Sequence, residues 1–157
     1  MSEHEISLTV NGQDYDLDVD PNKNLLRLIR EDLGLTGTNC GCERGDCGIC
    51  TILIDGKPNK SCLMLAVEAD GRNITTIEGL SEDGELNPIQ QAFIENGAVQ
   101  CGFCTPAFIL TAHALLERNP DPTEEEVKGA IDGILCRCTG YRQIIDAILD
   151  AASEYPL

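Results

Sequence analysis

Residues 100–104 read Q-C-G-F-C, and residues 136–138 read C-R-C. The two motifs supply four cysteines as two close pairs, and each pair lies beside a segment with helical periodicity. A four-thiolate metal centre at a junction of helices requires such an arrangement. We therefore predict that the second half of the chain is a set of helices built around a metal centre.

The spacing of these four cysteines does not by itself identify the metal, because Cys101-x2-Cys104 with Cys136-x-Cys138 could bind either zinc or an iron-sulfur cluster. Their position is more informative. Each pair comes just before a predicted helix, and the N-terminal end of a helix carries a partial positive charge. An anionic centre would be stabilised between two such ends.

A second group of cysteines lies in the glycine-rich segment 37–50, which reads G-T-N-C-G-C-E-R-G-D-C-G-I-C. The spacing Cys42-x4-Cys47-x2-Cys50, followed after eleven intervening residues by Cys62, is typical of a plant-type [2Fe-2S] cluster. The glycines allow the backbone to turn its N-H groups toward the sulfurs. Structural zinc sites favour two C-x2-C pairs, and only one is present here. This group therefore predicts an iron-sulfur cluster.

Composition limits the possible partners and location. The 157 residues include 27 acidic and 11 basic side chains, for a formal charge of −16, which disfavours nucleic acid and anionic lipid. No run of about eighteen apolar residues could span a membrane. The acidic first residues do not resemble a secretory leader, so we expect a cytoplasmic protein with metal-bound cysteines rather than disulfides. Of the nine cysteines, Cys40 fits no ligand position and is predicted to be a bystander thiol.

The first half of the chain has the pattern of a small sheet crossed by one helix. Asn11-Gly12 and Asp55-Gly56 predict two hairpin turns, and Asn24 is a candidate N-cap for a helix that Gly34 ends. The predicted strands are 6–10, 13–19, 51–54, 57–61 and 74–77. We predict a β-grasp domain over residues 1–80.

The second half has helical signals. Asn87-Pro88, Thr105-Pro106 and the capping box at Thr123 predict three helix starts, and a fourth helix is predicted over 140–152. Short connections between four helices indicate a bundle. The predicted fold is α+β, with a ferredoxin-like domain at 1–80 and a four-helix bundle at 81–157.

Three motifs together resemble a known family. They are G-C-E-R-G-D-C-G-I-C-T at 41–51, Q-C-G-F-C-T-P at 100–106 and L-C-R-C-T-G-Y at 135–141. In this order they resemble the small iron-sulfur subunit of the molybdenum hydroxylases, the family of xanthine dehydrogenase, aldehyde oxidoreductase and carbon monoxide dehydrogenase. The resemblance covers nearly the whole chain. Two positions depart from it: Ala107 stands where the family usually has Gly, and Ile134 where it usually has Asn.

The resemblance implies two [2Fe-2S] clusters. Their implied ligands are Cys42, Cys47, Cys50 and Cys62 for a plant-ferredoxin-like domain and Cys101, Cys104, Cys136 and Cys138 for the helical domain. It further implies that Gln100 and Cys138 contact a molybdopterin, in its dinucleotide form, bound mainly by a large molybdenum subunit. Electrons would run from molybdenum through the helical-domain cluster and the ferredoxin-like cluster to a medium FAD-binding subunit, within a dimer of heterotrimers.

Two other functions remain open at this stage. The chain could be a free-standing two-cluster ferredoxin or a zinc-bound interaction module. An exposed apolar patch around Gln100 and Cys138 would favour a partner-bound subunit over a solitary carrier. The sequence has no dinucleotide or P-loop motif and no nucleophile with a plausible histidine partner, so we predict no catalytic residue in this chain.

Overall fold

The computed structural model describes residues 3–81 and 83–155. The described residues form an α+β fold, as predicted. The strands are β1 (His4–Val10), β2 (Gln13–Val19), β3 (Thr51–Ile54), β4 (Lys57–Lys60) and β5 (Asn73–Thr75). The helices are α1 (Leu25–Arg27), α2 (Pro88–Glu95), α3 (Thr105–Arg118), α4 (Glu124–Ile131) and α5 (Arg142–Glu154). Short 3-10 turns cover Ser61–Leu63, Ala66–Ala69 and Ile77–Leu80.

The strands form one mixed sheet in the order β2-β1-β5-β3-β4. β1 is antiparallel to β2 and parallel to β5, and β3 is antiparallel to both β4 and β5. Both predicted hairpin turns are confirmed. Asn11 and Gly12 have φ of 51° and 79°, and Asp55 and Gly56 have φ of 49° and 76°. Two successive positive φ angles are what a two-residue hairpin turn requires, so these dipeptides set the register of the sheet.

The helix predicted after Asn24 packs across this sheet. The Asn24 side chain accepts a hydrogen bond from the N-H of Arg27 at 2.9 Å, as an N-cap does. Leu28 and Ile29 are fully buried against the strands. The α-helical part is shorter than predicted, because a π-helical turn over Leu28–Asp32 follows it directly. Gly34, with φ of 70°, ends the segment.

The helices of the second half share a second core. α2 packs against α3 and α5, and α4 packs against α3 and α5. The largest fully buried side chains of this core are the two phenylalanines, Phe93 and Phe108. α3 also contacts the sheet, where Leu110 packs on Leu53 of β3. The sheet and the helices therefore meet along α3.

The helix starts agree with prediction at two positions and differ at two. Asn87 and Thr123 both form capping boxes. The predicted cap at Thr105 is wrong: Cys104 is the N-cap of α3, and it makes no side-chain cap hydrogen bond. α5 starts at Arg142, two residues later than predicted, because Tyr141 adopts a left-handed conformation with φ of 71°. Within the described residues, no helix is long and apolar enough to cross a membrane.

Candidate metal centres

The first cysteine group lies in the loop between α1 and β3 and in the turn after β4. Cys50 and Cys62 are buried together with Leu26. Ser61 fixes the two segments to each other, because its N-H and hydroxyl donate to the Cys50 carbonyl at 3.3 and 2.8 Å. This contact places Cys62 beside the loop, as its predicted role as fourth ligand requires.

The four thiols of this first site fall into two pairs. Cys42 pairs with Cys47, whose N-H also donates to the Cys42 sulfur at 3.4 Å. Cys50 pairs with Cys62. A two-iron cluster needs two thiolates on each iron, and two adjacent pairs can provide them.

The electrostatics of the two pairs differ. Backbone N-H groups of Arg44 and Cys47 donate to the Cys42 sulfur and lower its pKa to about 6. Burial raises the pKa of Cys62 to about 11. The folded backbone therefore favours ionisation of the Cys42 thiol to the thiolate, which is the form that binds metal.

The loop passes close to its own sulfurs. A Cβ added at Gly41 would lie 2.7 Å from the sulfur of Cys47. Glu43, Gly45 and Gly48 all have positive φ, so the backbone curls around the site. Inward N-H groups, four thiols in pairs and a backbone without side-chain obstruction fit an iron-sulfur cluster.

The second cysteine group lies where α3 and α5 begin. The sulfurs of Cys101 and Cys138 are 3.6 Å apart, and Cys104 pairs with Cys136. Each pair thus joins one cysteine before α3 to one before α5. The structure brings all four predicted residues together in the same two-pair pattern as the first site.

Local hydrogen bonds shape this second site. Burial raises the pKa of Cys104 to about 12. Burial also acts to raise the pKa of Cys136, but hydrogen bonds from the Thr139 hydroxyl and N-H outweigh it and lower that pKa. The Tyr141 hydroxyl accepts from the Cys136 N-H at 2.9 Å, so the left-handed turn at Tyr141 holds the Cys136 backbone in place.

The two-pair pattern differs from a single-ion site. Among residues 3–81 and 83–155, no three His, Cys, Asp or Glu side chains are arranged to hold one metal ion. Cys40 is exposed and belongs to none of the four pairs. Ala107 and Ile134, which depart from the family pattern, are both buried in the helical core.

The surface beside the second site is partly apolar. Gln100, Cys101 and Cys138 are exposed, and Val99 and Phe103 keep 40% and 46% of their surface exposed. The Phe103 backbone is anchored to the first half of the chain, because its carbonyl accepts from the Asn39 amide at 2.9 Å. Exposed cysteines flanked by apolar side chains are the feature expected of a subunit with a partner.

One hydrogen bond links the two sites directly and was not predicted from the sequence. The carbonyl of Cys47 accepts from the N-H of Leu135 at 2.9 Å, and Leu135 is the neighbour of Cys136. The approach depends on Gly48, where an added Cβ would lie 2.3 Å from the carbonyl oxygen of Gly133. Gly48, the glycine of the C-G-I-C motif at 47–50, is the sequence feature that could have indicated this close approach.

The geometry defines a protein with two four-thiolate sites, and comparisons with known proteins agree. Residues 8–76 match a 2Fe-2S iron-sulfur cluster binding domain, and residues 76–149 match a [2Fe-2S] binding domain. The nicotinate dehydrogenase small FeS subunit of Eubacterium barkeri is 52% identical over 148 residues, which cover 94% of each chain.

Two further relatives differ in how the domain is used. A chain of quinoline 2-oxidoreductase from Pseudomonas putida 86 superposes with a TM-score of 0.94 at 50% identity, covering 98% of this chain and 96% of that one. The aldehyde oxidoreductase of Megalodesulfovibrio gigas is 44% identical over 149 residues, which are 93% of this chain but 16% of the relative. The chain belongs to the family of small [2Fe-2S] subunits of molybdenum hydroxylases, and it holds two [2Fe-2S] clusters. Its role is that of a non-catalytic electron-transfer subunit of an oxidoreductase.

Proposed function

We propose that this chain carries single electrons from a molybdenum site in a large subunit to a medium FAD-binding subunit. The proposed cluster ligands are Cys42, Cys47, Cys50 and Cys62 in the first site and Cys101, Cys104, Cys136 and Cys138 in the second. When bound, each cluster supplies a one-electron redox centre. Substrate oxidation at molybdenum yields two electrons, so two one-electron sites in series suit this transfer.

The observation that carries the proposal is the direct contact between the two sites. Cys47 and Cys136 lie in different halves of the chain, and the 2.9 Å hydrogen bond from Leu135 N-H to the Cys47 carbonyl joins their backbones. Ile49 of the loop is buried in the helical core, so the contact is part of a packed interface. This chain therefore supplies a short, ordered connection between the proposed ligands of the two clusters.

The exposed end of the second site supports a partner on the molybdenum side. We propose that Gln100 and Cys138 contact a molybdopterin, in its dinucleotide form, held mainly by the large subunit. Both residues are exposed, and the apolar side chains of Val99 and Phe103 beside them would be buried by a partner. This patch favours a subunit over a free-standing ferredoxin.

The proposed assembly is a dimer of heterotrimers in the cytoplasm. The names of relatives support partner subunits, since one is a small FeS subunit and another contains the domain as a minor part of a long chain. A reducing compartment would keep the cysteines, all of them free here, available for iron.

The proposed domain division follows the two cores. Residues 1–80 would form a plant-ferredoxin-like β-grasp domain, supported by the mixed sheet with β1 beside β5. Residues 81–157 would form a four-helix bundle, supported by the packing of α2 to α5 around one core.

Purification of the native complex tests this function. We expect about four iron atoms per copy of this chain, the visible absorption of [2Fe-2S] clusters, and a molybdenum-containing large chain in the same fraction. A colourless zinc protein would support the interaction module instead, and an iron-loaded monomer without a partner would support the free ferredoxin. Cys104→Ser should lower the iron content by about half, whereas Cys40→Ser, at a cysteine outside both sites, should leave it unchanged.

A further inference from the structure

Lys60 is placed differently from the other cations near the first site. Its ammonium group donates a hydrogen bond to the Gly45 carbonyl at 2.7 Å, and the bond is partly buried. Arg44 instead pairs with Asp46 at the exposed surface, and Arg27 pairs with the exposed Glu43. Arg30 bonds to the Thr36 and Thr38 carbonyls, which precede Cys42. Among the described residues, Lys60 is therefore the cation that bonds to the backbone between Cys42 and Cys47.

The carbonyl that Lys60 contacts belongs to a peptide unit with a second role. The N-H of the same unit is that of Asp46, and it adds to the larger effects of the Arg44 and Cys47 N-H groups in lowering the pKa of Cys42. The Cys47 N-H donates to the Cys42 sulfur at 3.4 Å. A cation on the carbonyl side of a peptide polarises its N-H, which then donates more strongly. The order of groups is thus Lys60 ammonium, Gly45 carbonyl, Asp46 N-H and Cys42 sulfur.

We propose that Lys60 is a positioning residue that raises the reduction potential of the first cluster by polarising the peptide that donates to Cys42. Reduction adds one negative charge to the cluster and its sulfurs, and hydrogen bonds to those sulfurs favour the reduced state. A positive charge held on the far side of the donor peptide adds to that effect. The inference rests on the proposed ligand role of Cys42.

β4 offers a matched control for the charge. Lys57 starts the same strand that Lys60 ends, and it is exposed. No side-chain hydrogen bond from Lys57 to the cysteine loop is present in the described part of the chain. Lys57→Met and Lys60→Met therefore remove the same charge from one strand, but only the second removes the contact with the Gly45 carbonyl. Lys60→Arg keeps a charge that can reach the same carbonyl.

The experiment is a redox titration of the purified complex carrying each variant, with each cluster followed by its electron paramagnetic resonance signal. Cys42→Ser identifies the signal of the first cluster. For Lys60→Met we expect the equilibrium constant for reduction of that cluster to fall about tenfold, which lowers its reduction potential by about 59 mV. The potential of the second cluster should change much less. Lys60→Arg should restore most of the potential, and Lys57→Met should shift it little.

Two results would overturn the proposal: equal shifts in Lys60→Met and Lys57→Met, or equal shifts in both clusters. Normal iron content and visible absorption in Lys60→Met show that the site still assembles, so that a null potential shift counts against Lys60 alone. If Cys42→Ser changed neither signal, the ligand assignment under the proposed function would fail instead.

Discussion

Gly48→Ala tests whether the contact between the two sites depends on the absence of a side chain. Gly48 has φ of 68°, and an added Cβ would lie 2.3 Å from the Gly133 oxygen and 3.0 Å from the Ile134 Cα. Both neighbours are backbone atoms, so relief requires the two segments to separate. The left-handed conformation costs about 1–2 kcal/mol for alanine, and overpacking adds about 1–3 kcal/mol.

Gly56→Ala is the matched control, because Gly56 has φ of 76° and nothing within 4 Å of its added Cβ. It should show the backbone cost alone. We therefore expect Gly48→Ala to lower the free energy of unfolding of the iron-loaded chain by about 1–3 kcal/mol more than Gly56→Ala does, as measured by chemical denaturation.

The same substitution should affect electron transfer. Separation of Gly48 from Gly133 would lengthen or break the adjacent hydrogen bond from Leu135 N-H to the Cys47 carbonyl. Electron exchange between the two clusters, measured by rapid-mixing spectroscopy in the complex, should slow in Gly48→Ala and stay normal in Gly56→Ala. Equal destabilisation of the two variants together with unchanged exchange would refute the reasoning.

Three further predictions concern other parts of the chain. The Tyr155 hydroxyl bonds to His113 Nδ1 at 2.6 Å and Glu117 at 3.0 Å, so Tyr155→Phe should lower the free energy of unfolding by about 1–2 kcal/mol in denaturant titration. Burial lowers the pKa of His113. His113 therefore takes up its proton at a higher pH in the unfolded state than in the folded state. As a result, the free energy of unfolding should fall as the pH drops below about 6.5, and this fall should be smaller in His113→Asn. Phe103→Ser should weaken recovery of the molybdenum chain in affinity purification, whereas Leu86→Ser, at a similarly exposed position, should not. An unchanged free energy of unfolding in Tyr155→Phe, an unchanged pH dependence in His113→Asn, or unchanged recovery in Phe103→Ser would contradict the respective prediction.

Local chemistry explains the parts of the fold that the sequence predicts well. The turns at Asn11-Gly12 and Asp55-Gly56 need positive φ, and the caps at Asn87 and Thr123 need a side-chain acceptor, so each is decided within four residues. The same holds for the loop spacing that predicts the first site. The Cys104 cap departs from this rule, because the Cys101-to-Cys104 turn fixes where α3 can start and Thr105 falls inside the helix.

The features that the sequence does not reveal are contacts between distant segments. Periodicity cannot place Leu135 on the Cys47 carbonyl or Lys60 on the Gly45 carbonyl, since both bonds use backbone acceptors that every residue carries. Periodicity also does not reveal the π-helical turn over Leu28–Asp32, where Leu28 and Ile29 are buried against the sheet. The first of these contacts, from the Leu135 N-H to the Cys47 carbonyl, is the one that joins the two sites.

The pairing of the cysteines predicts that the two halves depend on iron to different degrees. In the first site, the pairs Cys42–Cys47 and Cys50–Cys62 lie five and twelve residues apart in the sequence, so a cluster there closes shorter segments of chain. In the second site, Cys101 and Cys138 lie 37 residues apart and join the starts of α3 and α5. Closing a longer loop removes more conformational entropy from the unfolded chain. We therefore expect iron at the proposed second-site ligands to stabilise the helical half more than iron at the first site stabilises the sheet, which has its own hydrogen-bonded strands.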